Sequence, residues 1–417
     1  MEICVVGAGI VGLSSAWFLH KAGHNVTVID RAGEAGMGAS AANGAQLSYS
    51  YVQPLADPSL LPGIPKMLLA RNGPLKFSPQ WSVEQWRWCV EFLAACRTSI
   101  SRQTTVELLE LAHESRLALD AFISQEKVQC DFARTGKLVL YPDAESLRKA
   151  GDQVKFQAAQ GARQQKIVSP AEALSIEPAL EGYKKAFHGA IHTDSECAVD
   201  GRKLCQELAR LLSKQGVRFL FNSEVAAFRR ERGRITALEI HHAIEGPGLL
   251  GTQAVVLAAG AYSAGLLSAF GVRMPVYPLK GYSITLPITD SMNAPTVSVT
   301  DMRRKTVFAR IGDRLRVAGM VELCGLDASI PIKRIEQLKA STQALFGFGW
   351  NADDCQPWTG WRPATPTGRP ILAVSGCDNL YVNCGQGALG MTLAFGSAQR
   401  LVRLIDGTAP SLCQFME

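Results

Sequence analysis

The 417-residue sequence predicts an α/β plus α+β fold: a Rossmann-like dinucleotide-binding domain carrying an inserted substrate domain on a mixed, largely antiparallel sheet. Three observations predict it. Residues 2–30 read as a strand, Gly7-x-Gly9-x-x-Gly12, a helix and a second strand ending in Asp30. Residues 275–320 read as neighbouring strands with a short turn near Gly312-Asp313, which favours antiparallel pairing. Residues 379–407 return to a strand, a glycine turn and a helix. A domain assembled from both ends of the chain around an insertion fits that order.

In the first unit Gly7 allows the tight turn, Gly9 lets the backbone approach a pyrophosphate, and Gly12 lets the helix lie close on the strands. The helix N-terminus, at Ile10 and Val11, offers free N–H groups and a macrodipole that favour the phosphates. Asp30 follows Gly12 by 18 positions, near where a carboxylate bonds the adenosine ribose, and Arg31 adjoins it. The next loop is rich in small residues. Ser40, Ala41, Asn43, Gly44, Gln46 and Leu47 are its candidate contacts to phosphates or a ring system, and Tyr49 and Tyr51 follow as pocket candidates.

Residues 54–96 change character, with five prolines before residue 75 and with Trp81, Trp86 and Trp88 close together. Lys66, Arg71 and Lys76 are mixed with apolar groups, as on a surface resting on lipid or a partner; a lid packed on the core reads the same way. Residues 103–127 and 201–214 predict helices, the second stopped by Gly216. Strands are expected at 217–225, ending in Val225, at 233–240, and at 252–260, ending in Ala259-Gly260. The expected division gives residues 1–53, 190–270 and 355–417 to the dinucleotide domain and 97–189 and 271–354 to the substrate domain.

Composition narrows the function. With 43 basic and 37 acidic residues the net charge is only +6, and no extended Lys/Arg-rich run appears, so nucleic acid is a poor partner. Eleven scattered cysteines show no zinc spacing, so no metal is expected, and they suit a reducing compartment. Ile3 to Leu19 carries no charge but lacks a basic n-region and is too short to span a bilayer. A cytoplasmic protein is expected, resting on the inner face of the membrane if residues 54–96 make that contact.

Asp30 does not separate NAD from FAD. The C-terminal turn does: Gly385-Gln386-Gly387 and Gly390-Met391-Thr392 lie where a strand meets a helix, aiming N–H groups at an anion. A reduced flavin is such an anion, and stabilising it favours hydride acceptance. No second complete Gly-x-Gly-x-x-Gly βαβ unit is seen, which speaks against separate FAD and NAD(P)H domains, so electrons must leave the flavin another way.

The N-terminal unit, residues 256–260, TGWRPATPTGRP and GQGALGMT together resemble the FAD-dependent D-amino acid oxidase superfamily, which includes glycine and sarcosine oxidases. Within it, SAANGAQLS, PVYPLKGYSITLPI, RIGDRLRVAGMVEL and WTGWRPATP are most similar to the bacterial D-amino acid dehydrogenases of small-subunit type. The chain departs from the common Gly-His-Gly at Gln386 and from the common Thr-Pro-Asp-Gly at Thr367.

The resemblance implies that Arg362, beside Gly360, clamps a substrate carboxylate, as a planar bidentate cation does well. Tyr282 could add a hydroxyl to that carboxylate, and Lys280 could favour the reduced flavin or its reaction with oxygen. No cysteine lies in 358–370, so non-covalent FAD is expected. The implied activity is oxidative deamination of D-amino acids, with electrons passed to a quinone or respiratory partner and a homo- or hetero-oligomer as the assembly. A secondary-amine or imino-acid oxidase or dehydrogenase (D-proline, hydroxyproline, sarcosine or glycine) and a non-catalytic flavin-binding subunit are the alternatives.

Overall fold

The computed structural model describes residues 1–65, 73–268, 270–288, 293–347, 354–375 and 377–408. Strand β1 (Glu2–Val6) turns into helix α1 (Ile10–Lys21) and returns as β2 (Asn25–Ile29), paired parallel to β1. A short strand β3 (Leu75–Phe77), helix α2 (Val83–Ala95) and the long helix α3 (Thr98–Glu126) follow. Strand β4 (Lys137–Tyr141) opens the large sheet, and α4 (Gly201–Lys214) brings the chain back to the first one. Then come β5 (Tyr277–Pro287), β6 (Arg314–Leu323), α5 (Ile332–Phe346), β7 (Gln356–Ala364) and α6 (Gly390–Ile405).

The first sheet has six strands in the order Ile371–Ser375, Cys377–Cys384, Ala254–Leu257, β1, β2 and Arg218–Leu220. Its pairings are parallel except at the Ile371–Ser375 edge. Both chain ends therefore meet in one sheet, as expected. β1 is buried at four of its five positions, the near-continuous apolar run that a covered parallel sheet demands. The large sheet is mixed and mostly antiparallel, with β7, β5 and β6 side by side and β3 paired to β6. A separate three-stranded antiparallel sheet is formed by Ser223–Glu231, Arg234–His242 and Gly246–Gly251.

Three expectations are corrected. The single strand over 217–225 divides at Asn222, whose φ of 52 turns the chain from the first sheet to the three-stranded one. Helix α3, assigned to the substrate domain, shares its core with α1 and α6: Phe122 packs on Trp17 at 5.0 Å and on Phe395 at 5.3 Å. The strand Gly189–Thr193 and β7, whose residues 190–193 and 356–364 were assigned to the dinucleotide side, belong to the large sheet. Lys66 and Arg71 lie outside the described residues.

Candidate active site

A cavity of about 1130 Å³ runs from the first glycine turn, past the second, to the face of the large sheet and the inner side of α2. This exceeds the roughly 300–1,000 Å³ of a drug-sized ligand site, as a dinucleotide with a substrate beside it requires.

At its first end Gly7 has φ +113, and a Cβ there would sit 2.5 Å from the Ala258 carbonyl oxygen. A Cβ on Gly12 would lie 1.8 Å from the Gly7 oxygen, so α1 presses directly on the turn. Gly9 gives α1 no side-chain cap, and the Ile10 N–H is held by Ser40 Oγ at 3.1 Å. The first-turn amides beyond it stay open to an anion. Asp30 lines the cavity while its carboxylate accepts from Ala8 N at 2.6 Å and Ala32 N at 2.8 Å. Arg31 lies over the Tyr262 ring, 3.6 Å from its centroid.

The second end repeats the device. Gly385 and Gly387 have φ +87 and +55, and α6 begins at Gly390 without a side-chain cap. A Cβ on Gly387 or Gly390 would meet nothing within 4 Å, so the turn faces open space. Gln386 lines the cavity, and its Nε2 donates to Asn383 Oδ1 at 2.6 Å. Between the ends, the loop from Ser40 is tied to the large sheet by Ser283 Oγ to Ala42 O at 2.6 Å and by Arg316 Nη1 to Asn43 O at 2.9 Å. Gln46 donates to Val299 O and Phe308 O. Two uncapped helix N-termini joined by a glycine-lined trough suit the pyrophosphate and ring of FAD.

The sheet floor lies beyond the second turn. Gly281 lies opposite Gly360, and Leu279 opposite Arg362. Side chains alternate along a strand, so Leu279 and Gly281 face the cavity with Arg362. The guanidinium lies over Gly281, where a Cβ would be 2.4 Å from Nη1 and 2.5 Å from Nη2. Nη1 donates to Met320 O at 3.1 Å, and no carboxylate among the described residues reaches the group. Burial pushes its pKa down to about 10.

The alternation corrects two candidates. Lys280 is fully buried on the opposite face, where Nζ donates to Asp327 Oδ2 at 2.8 Å, and it does not line the cavity. Tyr282 borders the cavity, yet its hydroxyl donates to Glu322 Oε2 at 2.9 Å beneath the sheet, where Arg334 of α5 holds Oε1 at 2.6 Å. Burial and that carboxylate raise the tyrosine's pKa. Tyr49 is a core residue beside Arg116 and is not part of the lining, whereas Tyr51 lines it with the Lys137 ammonium 4.5 Å from its ring centroid. Burial raises the pKa of both hydroxyls.

Of the cofactor candidates, Gly7, Gly9, Ile10, Val11, Asp30, Arg31, Ser40, Asn43, Gly44, Gln46, Val225, Ala259, Gly260 and Gly360 line the cavity, as do Arg362, Gly385, Gln386, Gly387, Gly390 and Met391. Gly12, Ala41, Leu47 and Thr392 stand behind its wall: Leu47 is fully buried, and Thr392 Oγ1 accepts from Ser48 N at 3.1 Å. Lys137 and Trp358 were not anticipated. Lys137 is buried with Nζ on Ser48 Oγ at 2.8 Å, and desolvation lowers its pKa to about 8. Trp358 was readable, since it stands two residues before Gly360 and must share the face of Arg362.

The sequence pattern of the FAD dependent oxidoreductase family matches residues 2–404. The chain belongs to this family. It is 43% identical to a D-amino acid dehydrogenase 2 of Ralstonia nicotianae, with 99% of this chain and 98% of that protein covered. It is 39% identical to a D-amino acid dehydrogenase 2 of Pseudomonas aeruginosa, covering 99% and 96% of the two chains. Among solved structures, glycine oxidase from Geobacillus kaustophilus shares the fold with a TM-score of 0.76 at 19% identity, over 98% of this chain and 96% of that one. The chain is thus an FAD-dependent oxidoreductase, and the trough between its two glycine turns is where the residues fit that cofactor.

Proposed function

We propose that this oxidoreductase is a D-amino acid dehydrogenase, converting a D-amino acid to an imino acid that water hydrolyses to a 2-oxo acid and ammonia. The observation that carries this reading is Arg362, a part-buried guanidinium on the cavity wall whose one hydrogen-bond partner among the described residues is a backbone carbonyl. The part-buried guanidinium opens on the cavity with donors to spare, and an α-carboxylate satisfies it with two parallel hydrogen bonds. FAD, when bound, accepts the hydride from Cα. Arg362 fixes the carboxylate end of the substrate, and the apolar wall of Leu279, Val321 and Leu323, closed by Trp88 and Phe92, keeps water from the side chain. The D configuration is taken from the names of the relatives.

Anaerobic mixing of FAD-loaded protein with both enantiomers of an amino acid panel tests the reading. Bleaching of the flavin by D but not L forms is expected; an oxidised spectrum with every amino acid would sink it.

The electrons pass, in this reading, to a quinone or another respiratory acceptor held at a membrane. Helix α2 supports it by its two faces: Trp88 is buried with Nε1 on Ala364 O at 2.8 Å, while Val83 and Val90, with Trp81 just before the helix, are 76%, 65% and 107% exposed. Arg87, four residues after Val83 and three before Val90 on the helix, is exposed beside them and pairs with Glu91 at 3.3 Å. No helix among the described residues is long and apolar enough to cross a membrane, so contact would be peripheral. Replacing Trp81, Val83 and Val90 by serine is expected to abolish flotation with anionic phospholipid vesicles while soluble dye reduction persists. Undiminished flotation, or peroxide release as fast as dye reduction, argues against this acceptor route.

A further inference from the structure

We infer that Gly281 and Met320 are positioning residues for Arg362: one clears the space the guanidinium occupies, and the other supplies the carbonyl that anchors it. The inference rests on the reading of Arg362 as the carboxylate clamp.

Gly281 is an extended strand residue, absent from the glycines with positive φ, so its backbone does not require glycine. Space does. A Cβ at 281 would stand 2.4, 2.5 and 2.6 Å from Nη1, Nη2 and Cζ of Arg362. Directly opposite, a Cβ on Gly360 would stand 2.1 Å from the Trp358 ring. Two bare residues thus form a level floor, with the guanidinium and the indole leaning inward over it. Arg362 is held flat rather than extended into the cavity.

Met320 explains what keeps it there. Lys280 and Tyr282, two residues apart on β5, face Glu322 and Gly319, three apart on β6. The extra residue bulges, and Met320 takes φ 64, a left-handed conformation that side chains resist. Its carbonyl leaves the ladder and accepts from Arg362 Nη1 at 3.1 Å. Among the described residues it is the only hydrogen-bond partner the guanidinium has, which leaves the rest of the fork for a ligand. A strained residue at a ligand clamp is where such strain is found.

Benzoate and benzamide, which differ in charge but hardly in shape, serve as probes in calorimetry of the FAD-loaded protein. Gly281→Ala is expected to weaken benzoate by about tenfold or more and benzamide by less than about twofold, since only the charge-assisted bonds are lost. The KM for an amino acid that bleaches the flavin should rise more than kcat falls. Met320→Ile, whose β-branched side chain disfavours left-handed backbone, should weaken benzoate in the same selective way.

Equal loss of both probes in Gly281→Ala, or loss of neither, would overturn the inference. If Gly281→Ala lowers the melting midpoint or FAD content, adding Arg362→Ala should restore both by vacating the space. A double variant as damaged as the single one also overturns it. Failure of the wild-type protein to bind benzoate would instead count against Arg362 as a carboxylate site, while the restoration test would still judge the steric claim.

Discussion

The two glycine turns that line the cavity are built alike, and the sheet floor beyond the second is built differently. Each turn is one continuous stretch in which a strand, a left-handed glycine and an uncapped helix start follow in sequence. The floor is assembled from β5, β6 and β7, and the proposed clamp depends on a bulge on one strand and a missing side chain on another. The turns answer to the generic charge of a dinucleotide. The floor answers to the shape and charge of a particular small molecule. Damage to a turn should therefore remove the cofactor, and damage to the floor should leave the cofactor bound.

The sharpest break of that contrast is Gly12→Val. With the Gly7 oxygen 1.8 Å from any Cβ, and backbone on both sides, nothing can yield. Purified protein should carry no flavin absorbance, and a normal flavin-to-protein ratio would erase the distinction. Arg362→Ala comes next. It should retain FAD while raising KM by an amount equivalent to about 2–4 kcal/mol, the worth of a buried charge-assisted contact. An unchanged KM would move the clamp elsewhere.

Tyr282→Phe sharpens the comparison from the other face of β5. Its hydroxyl serves buried Glu322, so the loss should be one of stability, about 1–2 kcal/mol in chemical denaturation. A rise in KM as large as that of Arg362→Ala would show that the hydroxyl reaches substrate after all.

The smallest effect belongs to Lys137, on the cavity wall. Burial lowers its pKa from 10.5 to about 8, so between these values the unfolded chain binds more protons than the folded one. Stability should accordingly rise with pH across that window, its burial penalty being fully present below about 8. Lys137→Met should flatten this rise in melting midpoints; an unaltered slope would mean that other groups produce it.

The contrast also explains what could be read from sequence. Gly7, Gly9, Gly12 and Asp30 were legible because one βαβ unit contains them, and Gly385 to Gly390 because one strand-turn-helix stretch does. Arg362 was singled out through its surrounding motif, and it lines the cavity. Lys280 and Tyr282 stood in that same resemblance, but strand alternation carries both away from the clamp. Period two alone placed them together on one face. What was missing was the pairing of β5 with β7, a tertiary fact that sets which face holds Arg362. Leu47 and Thr392 were misplaced by one position in the same sense, each behind a neighbour that does line the cavity. Lys137 had no local signature, since its surroundings come from Ser48 and Tyr51, some ninety residues away.

The unpaired guanidinium has a consequence for how long the protein lasts rather than how fast it works. A carboxylate that binds only the folded chain adds stability as RT ln(1 + [L]/Kd), about 2.7 kcal/mol at a hundredfold excess over Kd. Heat resistance and resistance to proteolysis should therefore follow the supply of small carboxylates. A cell rich in substrate would keep more of this protein intact, without any change in its synthesis.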